Sequence, residues 1–168
     1  MATVQKITPF LWFDKEAVEA AKFYASVFKG SEIKDSRKLE NTPSGTVEIV
    51  TVELLGQDFT LMSAGPFFKF NESVSFMVPC ETQEEIDYYW EKLSADPKAE
   101  QCGWLKDKYG LSWQIVPTIL AKMQKDKDPK RVARVTEAFL KMKKFDIATL
   151  KKAYEGEVLK TQRKNAKL

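Results

Sequence analysis

QCGWLKDKYGLSWQIVP, Gln101 to Pro117, is the stretch on which the fold turns. From Leu111 to Val116 the residues run Leu, Ser, Trp, Gln, Ile, Val, and alternation of this kind marks a strand with two differently employed faces. Leu111, Trp113 and Ile115 form the apolar face; Ser112, Gln114 and Val116 are available to line a cavity. Tyr109-Gly110, after Asp107-Lys108, supplies a turn, because glycine tolerates positive φ without a steric cost. The whole stretch therefore predicts a β-hairpin.

Moving towards the N-terminus, Asp96-Pro97 closes a helix that shows apolar residues at Ile86, Tyr89, Trp90 and Leu93. Thr82-Gln83-Glu84-Glu85 is a capping box at its start. Before that, Ser73 to Val78 alternates as a strand, preceded by Phe67-Phe68-Lys69-Phe70 and a break at Ala64-Gly65-Pro66.

An earlier copy of the same order precedes the break. Ile7 to Phe13 is apolar and aromatic, suited to a strand covered on both sides, with Thr8, Phe10 and Trp12 on one of them. Asp14 is the expected N-cap of a helix whose stripe is Ala17, Ala20, Ala21, Tyr24, Val27 and Phe28, ended by Lys29-Gly30. Strands are expected over Glu32 to Leu39, Thr46 to Leu55 and Phe59 to Ala64, with turns at Asn41 to Gly45 and Gly56 to Asp58. The spacings of the two halves agree. Phe13 precedes Phe23-Tyr24 by ten and eleven residues, as Val78 precedes Tyr88-Tyr89; Gly56 precedes Phe59 by three, as Gly110 precedes Trp113. An internal repeat of strand, helix and further strands follows.

Beyond Pro117 the pattern is helical. Thr118 to Met123 is a short helix broken by Lys125 to Asp128; Asp128-Pro129 then opens a helix with a Val132, Val135, Phe139, Met142 stripe. Asp146 caps a last helix through Ile147, Leu150 and Tyr154, stopped by Gly156. The expected organisation is a domain over 1–117 (module one about 4–64, module two about 72–117), a helical extension over 118–156 and a polar, frayed tail over 157–168.

Composition narrows the classes. A chain of 168 residues with 43% hydrophobic and 30% charged content is a globular domain with room for one ordinary core. No apolar run approaches the length of a membrane helix and MATVQKITPF carries no signal-peptide core, so the expectation is a cytoplasmic protein without membrane association. Cys80 and Cys102 form no CxxC pattern and are expected as buried free thiols. Of the net charge of +3, residues 141–168 carry nine Lys/Arg against three acids, +6, which leaves −3 for residues 1–140. A Lys-rich tail without interleaved aromatics is expected as a solvated end, and nucleic-acid binding is not expected. The chain has no His, which removes His-dependent catalysis, and its seven glycines form neither a GxGxxG nor a P-loop.

The pieces TPFLWFD (8–14), KFYASVF (22–28), FKFNESVSFMV (68–78), CETQEEIDYYWEKL (80–93) and CGWLKDKYGLSWQIVP (102–117) resemble the PhnB-like proteins filed under the name 3-demethylubiquinone-9 3-methyltransferase, a branch of the vicinal oxygen chelate (glyoxalase/bleomycin-resistance) superfamily. The resemblance runs from about residue 4 to residue 155. It implies an α+β fold of two paired βαβββ modules forming a curved, eight-stranded sheet around a cavity, a C-terminal helical extension, and a homodimer. Superfamily enzymes hold a divalent metal with one side chain from the first and one from the fourth strand of each module. Carried across by the repeat, those positions fall at or near Thr8, Thr60, Ser73 and Gln114. Two Thr, one Ser and one amide supply no charge to offset a dication, so no metal and no cofactor are expected. Methyl transfer is not expected either, because no Gly-rich loop is present to approach the cosubstrate.

Two readings of the four positions stand: polar lining beside water, or hydrogen-bonding groups for a small organic ligand in a pocket walled by Phe10, Trp12, Met62, Met77 and Phe68. Trp113 and Trp90 are expected in the core, and Trp104 is left open between core and cavity. Asp107, Glu72 and Glu48 are the carboxylates nearest the cavity strands, expected at solvated turns and strand ends, and no catalytic residue is assigned. Three functions remain: a metal-free small-molecule binding protein; an enzyme on a small aromatic or quinone-like substrate, of the metal-dependent glyoxalase/dioxygenase type with metal ligands other than these four positions; and a partner-binding protein that uses the C-terminal helices.

Overall fold

The computed structural model describes residues 7–157, so the polar tail expected over 157–168 lies almost wholly outside the described residues. The described residues divide into two compact units, one ending at Phe70 and the other beginning at Asn71.

The first unit runs β1 (Phe10–Phe13), α1 (Ala17–Val27), β2 (Glu32–Thr42), β3 (Gly45–Leu54) and β4 (Gln57–Ser63). Its sheet has the order β1-β4-β3-β2, with β1 parallel to β4 and the remaining pairs antiparallel. This is the expected βαβββ unit. The α1 stripe is buried throughout, Ala17, Ala20, Ala21 and Tyr24 completely, and it faces Leu61, Val50 and Val52 on one side of the sheet. Three details differ from the sequence expectation. β1 begins at Phe10, not Ile7, because Pro9 has no N–H for the ladder; its carbonyl instead accepts from the Thr60 amide at 2.9 Å. Only one side of β1 is covered: Leu11 and Phe13 are buried, whereas Phe10 is 57% exposed. Asp14 does not cap α1; Glu16 holds the N-cap position and Ser63 Oγ, from the end of β4, accepts the Ala17 amide at 2.9 Å. A tertiary hydroxyl has taken the local cap's role.

The second unit runs β5 (Ser75–Cys80), α2 (Gln83–Leu93), β6 (Trp104–Lys106) and β7 (Ser112–Pro117), then α3 (Thr118–Gln124), α4 (Pro129–Leu140) and α5 (Ile147–Glu155). Its sheet has the order β5-β7-β6, with β5 parallel and β6 antiparallel to β7. The predicted hairpin is present. So is the capping box: Thr82 Oγ1 accepts from the Glu85 amide and Glu85 Oε2 accepts from the Thr82 amide. Trp113 is core, but Trp90 is only partly buried, and Trp104 is likewise intermediate.

Described strands number seven, not the eight implied by two full βαβββ modules. Between α2 and β6 the chain is too short and too rich in turn residues to make a long outer strand like β2. The helical extension bonds to the segment that stands in that strand's place. The Met142 and Lys143 carbonyls accept from the amides of Cys102 (2.9 Å) and Gly103 (2.7 Å), and Gln101 Nε2 donates to the Leu140 carbonyl. On the other side, Gln83 clasps the extension to α2, donating to the Phe145 carbonyl and accepting from the Ile147 amide at 2.9 Å. Asp128 and Asp146 cap α4 and α5 as expected, and Arg134 donates to the Ala153 and Tyr154 carbonyls at the end of α5.

Both cysteines are free thiols. Cys80 is fully buried, and burial pushes its thiol up to about 12, whereas Cys102 is partly exposed, contrary to the expectation that both are buried. The native protein at pH 8 is expected to take up iodoacetamide at Cys102 and not at Cys80, as peptide mapping would read; equal labelling would contradict the packing.

Candidate functional site

In each unit one face of the sheet is packed under its helix and the other is left partly open. Ladder register identifies the residues that share each open face, since directly paired positions point the same way.

On the first sheet these residues form two rows. One is Phe10, Thr60 and Thr51; the next is Trp12, Met62 and Ile49. Trp12 is held in place by its indole N–H, which donates to the Gly65 carbonyl at 2.8 Å, and by the edges of Phe68 (5.0 Å between ring centroids) and Phe67 (6.5 Å). Val47, Ile49 and Ala64 lie beneath Trp12 and Met62 as a small apolar cluster. Gly65 sits at φ +91°, and a Cβ there would meet the Phe67 ring at 3.1 Å, so the break in the chain also sets the two phenylalanines. Phe67 and Phe68 remain 68% and 65% exposed.

On the second sheet the first row is Ser75, Ser112 and Lys106, and the next is Met77, Gln114 and Trp104. Gln114 Nε2 donates to Ser75 Oγ at 2.8 Å. Ser112 is buried, and its hydroxyl has no hydrogen-bond partner among the described residues. Lys106 pairs with Glu72 at 2.5 Å, and that ammonium holds the Glu72 carboxyl below the usual carboxylate range. Met77 is 60% exposed.

Four polar positions were expected from the repeat, and the structure keeps two of them on their strands and places two outside. Ser73 lies ahead of β5, in a turn where it donates to Asn71 Oδ1, and it is not beside Gln114. The position it was assigned belongs to Ser75. Phe13, the last residue of β1, lies eleven residues before Tyr24, but Cys80, the last of β5, lies nine before Tyr89. An alignment anchored on the helices therefore slides the strand by two. With the ladders matched, Phe10 opposite Thr60 corresponds to Met77 opposite Gln114. Thr60 and Gln114 keep their predicted places; Thr8 precedes β1 and is exposed. Sequence reading missed Lys106, Ser75 and Thr51, whose membership depends on which strands are neighbours.

Asp107 is the other correction. It is 3% exposed, not solvated, and accepts from the Tyr109 and Leu111 amides (2.9 and 3.1 Å) and from the Trp113 indole (2.8 Å). Its role is to hold the hairpin. Glu48 pairs with Lys38 at 3.0 Å, and neither it nor Glu72 meets a second carboxylate in an acid–base arrangement. Thr8 and Thr60 in the first unit and Ser75 and Gln114 in the second are all neutral, and neither pair suits a divalent ion; among the described residues no three His, Cys, Asp or Glu come together as metal ligands.

A βαβββ unit followed by a second unit of the same plan less its outer strand defines a protein of the vicinal oxygen chelate class. Within that class, the model of the family described as 3-demethylubiquinone-9 3-methyltransferase matches residues 5–116, and the chain belongs to this PhnB-like family. A Bacillus cereus PhnB protein carrying the same methyltransferase name is 36% identical over 68% of this chain and all of its own, with a TM-score of 0.57. Protein PA1353 of Pseudomonas aeruginosa shares the fold at 16% identity (67% of this chain, 97% of its own, TM-score 0.51). So does the fosfomycin resistance protein FosX of Listeria monocytogenes at 13% identity (74% of this chain, 99% of its own, TM-score 0.50). No curated protein sequence matches significantly. Among the described residues no helix is long and apolar enough to cross a membrane.

Proposed function

We propose that this protein binds a small organic molecule on the open sheet faces without a metal ion. The observation that carries this reading is the pair of large apolar side chains left in solvent at the same ladder position of the two units, Phe10 beside Thr60 and Met77 beside Gln114. A folded chain gains by covering such groups, at about 25 cal/mol per Å² of apolar surface. Leaving them open next to hydroxyl and amide groups is the composition of a ligand surface, mostly apolar with a few convergent polar groups. The neutral polar groups on each unit's open face support binding by hydrogen bonds and apolar contact, with no metal-bound intermediate required.

Native mass spectrometry of untagged protein, purified without chelator and compared with the denatured sample, tests this. The expected species is near twice the 19.3 kDa chain with an added organic mass that is lost on denaturation. One metal ion per chain, retained through purification, would refute the metal-free reading. If no cargo is retained, a panel of small aromatic compounds titrated against tryptophan fluorescence decides, and absence of saturable binding across the panel would refute ligand binding.

A further inference from the structure

The two rows of the second sheet differ in a way that bears on the ligand's chemistry. One row combines a cation, Lys106, with the hydroxyls of Ser112 and Ser75. The adjacent row, two residues along each strand and so roughly 7 Å away, places the Gln114 amide between Met77 and Trp104. Ser112 is the telling residue. It is 1% exposed with its hydroxyl unpartnered, although buried hydroxyls are normally satisfied by protein, water or ligand. Its two ladder neighbours are Ser75, which accepts from Gln114, and Lys106. The Lys106 side chain is only 23% exposed, and the group that meets it is the carboxylate of Glu72, which is itself 66% exposed and lies outside the strands. An exposed surface carboxylate on a largely buried ammonium, next to an orphan hydroxyl, is how an acid-binding position looks when the chain's own acid occupies it.

We propose that the second sheet recognises the carboxylate of an amphiphilic ligand: the acid sits on Lys106 and Ser112, displacing Glu72, and the apolar body lies across Met77 and Trp104. This rests on the ligand-binding reading above and specifies the class of molecule.

The test uses the full chain with two probes of one shape, 2-naphthoate and the neutral 2-naphthalenemethanol, followed by tryptophan fluorescence and calorimetry at pH 7. Naphthoate is expected to bind at least about tenfold more tightly than the alcohol, the scale of one charge-assisted contact. Lys106→Met should reduce naphthoate to the alcohol's affinity and leave the alcohol unchanged. Glu72→Gln should tighten naphthoate about threefold or more by removing the competing acid. Ser112→Ala should weaken naphthoate while leaving the thermal midpoint unchanged or higher, because an orphan hydroxyl is removed. Equal affinity for the two probes, or a Lys106→Met protein that still prefers naphthoate, overturns the acid assignment and leaves ligand binding standing. Retained cargo without an acidic group does the same. Binding of neither probe overturns the acid assignment, and ligand binding falls with it only when the aromatic panel also shows no saturable binding and no cargo is retained.

Discussion

Replacing Asp107 with alanine is expected to destabilise the protein by about 3–5 kcal/mol, read from urea unfolding followed by tryptophan fluorescence. The magnitude follows from what the carboxylate holds. Two backbone amides of the hairpin turn and the indole of Trp113 donate to it, and the group is almost completely buried. Truncation leaves those donors without their acceptor, at about 1–3 kcal/mol for each one that water cannot reach. It also releases Trp113, which packs with Ile115 and Leu105 beneath α2. Asp107→Asn should cost less, about 2 kcal/mol, because one oxygen can still serve the two amides while the new NH₂ faces the indole donor. A loss below about 1 kcal/mol for Asp107→Ala would show that the turn is held by other means.

The second large effect is expected at Gly103. It lies at φ +82°, where an alanine costs about 1–2 kcal/mol from backbone strain alone. A Cβ there would also stand 2.4 Å from the Phe145 ring and 2.8 Å from the Ile115 carbonyl oxygen. Phe145 is buried, and Ile115 is held to the same residue by its amide, which donates to the Gly103 carbonyl at 2.8 Å. Neither can give way without moving the sheet or the extension, and overpacking of this kind adds about 1–3 kcal/mol. Gly103→Ala is therefore expected to cost about 3–5 kcal/mol in total. Gly110 provides the control, because it has the same φ of +82° with nothing within 4 Å of its Cβ position. Gly110→Ala should lose only the strain, about 1–2 kcal/mol, and equal losses at the two positions would show that the extension does not press on Gly103.

Both positions lie in the stretch from Cys102 to Pro117, where several structural roles fall on one short segment. Asp107 and Gly110 make the turn, Trp113 ties the turn to the core, and Gly103 lets the helical extension approach. Lys106 and Gln114, on the same short stretch, face the open side of the sheet. One segment thus carries hairpin, core, docking and the proposed ligand contacts.

Sequence alone determined the element types, because the signals for them are local. Two-residue alternation marked β7, the Thr82/Glu85 box started α2, Asp128-Pro129 started α4, and Gly156 stopped α5. The repeat determined the unit plan for the same reason, being a matter of spacing along one chain. Tertiary structure decided the rest. Whether Ser73 or Ser75 stands beside Gln114 depends on ladder register, which a connection shorter by two residues shifts without changing any local pattern. That Ser63 caps α1, that Asp107 is buried under Trp113, and that the extension meets the Gln101–Gly103 segment are contacts between residues or segments whose partners periodicity does not name. Helix and strand are set by hydrogen bonds and side-chain stripes a few residues apart, whereas a site is assembled by hydrogen bonds across strands distant in sequence, and only the folded chain chooses those partners.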